Sequence, residues 1–137
     1  MGAGLRFFMG MHNKLYRMTG GKAFNMDGTL LLLSTTGSKT GKQRTNPLVH
    51  LKLEDGGRVI AASAGGADRH PAWFFNIKKN PEVQFEFEGE TFGARARVAE
   101  EPERSELYAK LEAMQPRFSD YKAKTERVIP VVVLEPQ

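Results

Sequence analysis

Residues 29–63 read TLLLLSTTGSKTGKQRTNPLVHLKLEDGGRVIAAS, and the punctuation of this stretch decides the fold. Four leucines (Leu30 to Leu33) run into Ser34-Thr35-Thr36, a glycine-rich turn follows, and a second extended run leads to Asp55-Gly56-Gly57 and a third. Short apolar and β-branched runs bounded by turn residues specify strands. Asp-Gly-Gly marks a tight hairpin, because glycine tolerates the left-handed backbone that such reversals require. The pattern predicts strands over 29–36, 45–53 and 58–63.

The same reading extends to the rest of the chain. Strands are predicted over 83–88, 91–99 and 128–134, with Glu88-Gly89-Glu90 turning the fourth into the fifth. In the fourth, Val83, Phe85 and Phe87 alternate with Gln84, Glu86 and Glu88, so one face is apolar and the other acidic. Folding that hairpin is expected to bring Glu86 and Glu88 near Arg95 and Arg97 as structural pairs. Helical spacing appears over 71–79, with Pro71 at the first helical position, and over 102–114, where Leu107, Leu111 and Met114 share a face. A shorter helix is predicted over 119–126 with Ser119 as its N-cap. Six strands with inserted helices, not strict alternation, predict an α+β, mainly β chain: a mostly antiparallel barrel with peripheral helices.

At 137 residues the chain suits one barrel domain, 23–137, preceded by an amphipathic helical segment, 1–22. Within that segment, Leu5, Phe8, Met9, His12 and Tyr16 form one stripe of a helix over 3–18, which Gly20-Gly21 ends. Arg6, Lys14, Arg17 and Lys22 decorate it, so it either packs on the domain or lies on a membrane surface through residues 1–20. There are no cysteines, which excludes thiol catalysis, thiolate metal sites and disulfides. His12, His50 and His70 match no metal spacing, so no metal site is expected. No apolar run approaches the ~20 residues of a spanning helix, and Arg6 interrupts any signal-peptide pattern, so a cytoplasmic location is expected. The net charge of +4 is uneven: residues 1–58 carry +6 and residues 59–137 carry −2. A positive first half suits phosphates, polyanionic ligands or a membrane surface.

Two segments carry the chemistry. Residues 34–44, STTGSKTGKQR, pack glycines, hydroxyls and three cations between two predicted strands. Glycines let backbone N–H groups converge on an anion, and Lys or Arg neutralises it. The segment is not a P-loop: Gly37 and Gly41 enclose three residues where four are needed, and neither a hydroxyl residue after Lys42 nor a helix follows. An anion-binding strand-to-strand loop is the expectation. Residues 61–76, AASAGGADRHPAWFFN, end a strand of small residues in a glycine pair and then start a helix. That arrangement lets a flat ring lie against the backbone, with free helical N–H groups nearby. Trp73 and Asn76 share a helix face there, and Trp73 on its own also reads as a core anchor.

Taken together, TTGSKTGKQRTNPL (35–48), AASAGGADRHPAWFFNIKKNP (61–81) and RVIPVVVLEP (127–136) resemble the deazaflavin-dependent nitroreductase family, whose members bind coenzyme F420. The resemblance runs from about Leu30 to Pro136 and implies a split β-barrel related to FMN-binding proteins. It further implies that Lys39 and Arg44 hold the cofactor's phosphate and acidic tail, with Ser38, Thr40 and Thr45 beside them. Pro47 and Ala61-Ala62-Ser63-Ala64 with Gly65-Gly66 line the ring, and Ala72, Trp73 and Asn76 close its other side. Ser63 and Tyr121 become the candidate catalytic groups. Gln115, Phe118 and Tyr121 fall where nitroreductase members carry three tyrosines, so one phenol remains over the substrate pocket. The family often has a lysine where this chain has Ala64. The expected reaction is hydride transfer to an electron-poor acceptor, a quinone first and nitro compounds second, in a monomer or dimer. Rival readings are an FMN- or haem-binding split barrel, a basic nucleic-acid-binding β-barrel, and a cofactor-storage role; no nucleic acid partner is expected, because the acidic strand face would repel one.

Overall fold

The computed structural model describes residues 29–137; the helix expected over 3–18, and the whole 1–22 segment, lie outside the described residues. The strands are β1 (Leu30–Thr36), β2 (Gln43–Val49), β3 (Leu51–Lys52), β4 (Arg58–Ala61), β5 (Glu82–Phe87), β6 (Glu90–Val98) and β7 (Val131–Pro136). Helix α1 (Ala72–Lys79) lies between β4 and β5, and α2 (Glu103–Met114) and α3 (Arg117–Lys124) lie between β6 and β7. The sheet order is β2-β1-β5-β6-β7-β4-β3 with every neighbouring pair antiparallel. It curls into the split barrel that the resemblance implies.

Two apolar layers hold it. Inside the barrel, Leu31, Leu33, Ile60, Val83, Phe85, Val132 and Leu134 pack against Trp73, Phe74 and Ile77 of α1. On the opposite face of β4 and β7, Val59, Ala61, Val131 and Val133 pack against Leu107, Tyr108 and Leu111 of α2 and Phe118 of α3. Because β4 and β7 are covered on both faces, they read as continuous apolar runs and not as alternating ones. Each such buried side chain contributes about 1.5–3 kcal/mol relative to exposure.

The structure differs from the sequence reading at several element ends. The run expected over 45–53 divides at His50, whose backbone N–H still bonds the Thr29 carbonyl at 2.7 Å, in register with the β1–β2 pairing. Beyond the break β3 pairs with β4, so seven strands stand where six are expected. The strand expected from Val128 begins at Val131; Val128 is exposed. Pro71 occupies the N-cap of α1, with ψ near 154°, and not the first helical position. Ser119 lies inside α3, where its hydroxyl donates to Glu112 at 2.8 Å instead of capping.

The hairpin charges pair differently too. Glu88 and Gly89 form a two-residue turn with φ of 49° and 88°, which fixes Phe87 opposite Glu90. That register sets Glu86 opposite Thr91 and Glu82 opposite Arg95, so Glu82 takes Arg95 at 2.8 Å. Arg97 instead bonds Glu103 and Glu135. Glu86 is buried, so the strand's second face is not the solvated acidic face its alternation suggests. The ion pairs of Arg95 and Arg97 are solvent-exposed and worth well under ~1 kcal/mol each.

One buried polar pair sits within the apolar layers. The Arg58 guanidinium lies 4.8 Å from the Phe87 ring centroid and 5.4 Å from that of Phe85, and donates to His50 Nε2 at 3.0 Å. That bond puts the His50 proton on Nδ1, which is buried with no partner among the described residues. Burial, and next the Arg58 charge, lowers the His50 pKa to about 4, so the imidazole is neutral at physiological pH.

Candidate active site

The β1–β2 hairpin ends in a six-residue loop, Gly37 to Lys42. It closes on itself: Gly37 N–H donates to the Lys42 carbonyl at 2.7 Å and Gly41 N–H to the Gly37 carbonyl at 2.9 Å. The Lys42 N–H goes to Thr40 Oγ1. Asn76, buried on α1, accepts the Ser38 N–H at 2.8 Å and donates to Thr35 Oγ1 at 3.0 Å, while Lys79 donates to the Ser38 carbonyl at 2.8 Å. The amides of Gly37, Ser38, Gly41 and Lys42 are therefore committed within the protein. The Lys39 and Thr40 amides have no partner among the described residues, and Lys39, Lys42 and Arg44 are exposed with no ion pair among them, so two amides and three cations stay available at the tip.

The second segment forms a turn of unusual backbone. Ala64, Gly65 and Gly66 all have positive φ (48°, 64° and 89°), a conformation that costs a non-glycine residue about 1–2 kcal/mol. A Cβ on Gly66 would sit 3.0 Å from Lys124 Cβ and 3.1 Å from the Tyr121 carbonyl, so the glycine is required by the approach of α3. Gly65 has open space around the same point and faces the cavity. The pair thus divides its duties between helix packing and clearance for a ligand.

Between this turn, β2 and α3 lies a cavity of about 400 Å³, within the size range of small-molecule sites. Its walls include Pro47, Ala61, Ser63, Ala64, Gly65, Trp73, Phe118 and Tyr121, which the sequence reading had placed around a ring and its acceptor. Leu30, Leu48, Val49, Pro71 and Arg117 complete the lining. Pro47 fits because β2 is an edge strand, where the missing N–H breaks no ladder.

Other candidates are placed elsewhere. Asn76 is the clamp of the hairpin loop and does not line the cavity, and Ala72 is exposed on α1. Ala62 points into the barrel core, Gly66 packs on α3, and Thr45 bonds Ser34 Oγ at 3.0 Å. Ser38, Lys39, Thr40 and Arg44 belong to the hairpin tip outside the cavity lining. Gln115 caps the end of α2, where its carbonyl receives the Phe118 N–H.

Two tyrosines separate by environment. Tyr108 donates to the Phe118 carbonyl at 2.6 Å, and burial pushes its pKa up to about 12, so it is a structural phenol. Tyr121 packs edge-on to Phe118 at 5.6 Å, lines the cavity, and has no hydroxyl partner among the described residues. Ser63 Oγ is likewise uncommitted among the described residues at the cavity wall.

Sequence reasoning missed two arginines. Arg117 lines the cavity and has no ion pair or hydrogen bond among the described residues; its only sequence signal is its place beside Phe118. Arg127 lies under the Ser63–Ala67 turn, and nothing in local spacing marks it. No group of three or more His, Asp or Glu able to hold a metal occurs among the described residues, and no helix among them is long and apolar enough to cross a membrane.

Antiparallel topology, curled sheet and a cavity beside the edge strand define a ligand-binding split barrel. The chain belongs to the F420H(2)-dependent quinone reductase family, whose model matches residues 8–136. It is 36% identical over 130 residues to the F420H(2)-dependent quinone reductase Rv1261c of Mycobacterium tuberculosis, covering 90% of this chain and 87% of that protein. Among solved structures, one described as an F420-H2 dependent reductase (FDR-A) superposes with TM-score 0.72 at 35% identity, covering 78% of this chain and 94% of its own. Another, described as a domain-swapped dimer, gives TM-score 0.74 at 32% identity, covering 90% and 93%.

Proposed function

We infer that this chain is a coenzyme F420-dependent oxidoreductase that transfers hydride from reduced deazaflavin to an electron-poor acceptor, a quinone first and nitro compounds second. The observation that carries the reading is one strand serving two needs. Arg44 of β2 belongs to the exposed cationic tip, and Pro47, three residues on and about 10 Å away, walls the largely apolar cavity. A ligand with an anionic tail and a flat head fits that division.

Lys39 and Arg44 hold the tail, with Ser38, Thr40 and Thr45 alongside; Lys42 adds a third cation. Pro47, Ala61, Ser63, Ala64, Gly65 and Trp73 bound the space for the head. When bound, the cofactor supplies the hydride chemistry, which no side chain of this chain provides. The protein aligns the two reactants and excludes water. Ser63 and Tyr121 both line the cavity, which supports the reading that Ser63 Oγ orients the acceptor and the Tyr121 hydroxyl delivers a proton to it. Arg117, a cation with no ion pair among the described residues on an otherwise largely apolar wall, favours acceptors that present a carbonyl or anionic oxygen to it.

The test is turnover of reduced F420 with a naphthoquinone, followed by the return of oxidised-cofactor absorbance. A rate above the uncatalysed background supports the reading; tight binding of FMN or haem with no F420 turnover replaces it with the rival split-barrel reading. Binding of F420 without turnover indicates storage. Quinones partition into membranes, and the basic 1–20 segment suits peripheral contact by a cytoplasmic enzyme. Deleting residues 1–20 is expected to reduce liposome co-sedimentation, and unchanged sedimentation removes that part. A dimer is the oligomeric state favoured by the domain-swapped relative, and light scattering tests it.

A further inference from the structure

We propose that Arg127 is the positioning residue of this site, setting the Ser63–Ala67 turn against the cavity through one guanidinium bound at four points. Its Nε donates to the Ala67 carbonyl at 2.8 Å and its Nη2 to the Ser63 carbonyl at 2.8 Å. Its Nη1 donates to the Ala62 carbonyl at 3.1 Å and to His70 Nδ1 at 2.9 Å. Four of the five N–H groups of the planar guanidinium are thereby used on one nine-residue segment, which is the geometry that arginine's rigid fork provides and lysine's single ammonium does not.

The bonded atoms bracket the residues that matter. Ala62 and Ala67 flank Ser63, Ala64 and Gly65, the three turn residues that line the cavity. His70 is followed directly by Pro71 and, after Ala72, by Trp73, both on the cavity wall. The segment needs an external fastening because it bonds itself only through Gly66 N–H to Ser63 O and Ala67 N–H to Ala64 O, while Ala64, Gly65 and Gly66 all hold positive φ. Burial first, and the Arg127 charge next, lowers the His70 pKa, so Nδ1 stays an acceptor at neutral pH. Thr125 completes the fastening: its hydroxyl donates to Asp68 at 2.9 Å and receives the Arg127 N–H at 3.2 Å. Arg127 touches neither acceptor nor cofactor space; it acts through the turn.

This inference rests on the reading of the cavity as the F420 site, so its test carries a readout independent of the cofactor. Trp73 is the only tryptophan, is 4% exposed and lines the cavity, which makes its fluorescence a reporter of the wall. Wild type, Arg127→Met and Arg127→Lys are compared for acrylamide quenching, for F420 affinity by fluorescence titration, and for kcat and KM with a naphthoquinone, each at a temperature where circular dichroism shows the protein folded. In Arg127→Met the quenching constant is expected to rise at least twofold and the F420 Kd at least tenfold, with kcat at saturation changing less than threefold. Arg127→Lys is expected to fall between the two.

Wild-type quenching and affinity in folded Arg127→Met overturn the proposal. If Arg127→Met does not fold, Arg127→Lys decides: wild-type values in it overturn the proposal and intermediate values support it. Should wild type bind no F420, the functional reading fails, and the quenching comparison still judges Arg127 alone.

Discussion

The hairpin loop at Gly37–Lys42 and the turn at Ser63–Ala67 are both short, glycine-bearing and at strand ends, yet they are held in opposite ways. The loop closes within its own hairpin and needs only Asn76 and Lys79 of α1 to fix its outer edge. The turn is held by side chains 57 to 65 residues away, Arg127 above all, and by the close approach of α3 at Gly66. A locally closed loop presents its side chains to solvent and suits charge capture. A turn fixed from outside can hold a strained backbone against a ligand, because the surrounding structure over-determines it.

Substitutions can sharpen or break that contrast. Gly66→Ala is expected to have the largest effect, about 3–4 kcal/mol of stability in urea unfolding, since it combines positive φ with a backbone clash. A loss under 1 kcal/mol would mean that α3 does not hold the turn. His50 lies in neither region and serves as a control. Its folded pKa, near 4, lies below the ordinary 6.5, so its contribution is present above pH 6.5 and is lost as pH falls toward 4. Wild type is therefore expected to lose up to about 3 kcal/mol more than His50→Gln across that window. Equal pH profiles for the two proteins would contradict this.

Asn76→Ala removes one hydrogen bond to the loop, at Ser38, and one to Thr35 of β1 from a buried amide, and about 2 kcal/mol of stability is expected to go with them. F420 affinity is expected to fall as the tip loosens, although Asn76 touches no part of the cavity. Unchanged affinity would show that the loop needs no support from α1. The smallest effect is expected at Gly65→Ala, about 1 kcal/mol, since φ is positive but space is open. Gly65 and Gly66 losing equal stability would erase the distinction drawn between them.

The same contrast accounts for what the sequence disclosed. Strands and hairpins were legible because their signals are local: leucine runs, Asp55-Gly56-Gly57, and Glu88-Gly89. The cavity walls Pro47, Ala61, Ser63 to Gly65, Trp73, Phe118 and Tyr121 were found by the family resemblance, in segments that lie far apart along the chain. Asn76 was singled out as a ring neighbour, while its bonds to Ser38 and Thr35 were not legible, because helical spacing shows which face a residue shares and not which loop it meets. The break at His50 was hidden because apolar residues recur on both sides of it, and what changes there is the partner strand, from β1 before His50 to β4 after it. Arg127 opens the quoted stretch RVIPVVVLEP, but its fastening of the turn was not legible, because a guanidinium reaching four acceptors across some sixty residues leaves no local pattern.

The claim on which the functional account stands is that the β1–β2 tip grips the anionic end of the cofactor. A fluorescence titration of oxidised F420 against wild type, Lys39→Ala and Arg44→Ala measures it directly. Each variant is expected to lose roughly 1.5–3 kcal/mol of binding, about tenfold or more in Kd, the scale of hydrogen bonds to charged groups. Wild-type affinity in both variants would contradict it and place the anionic tail elsewhere on the molecule.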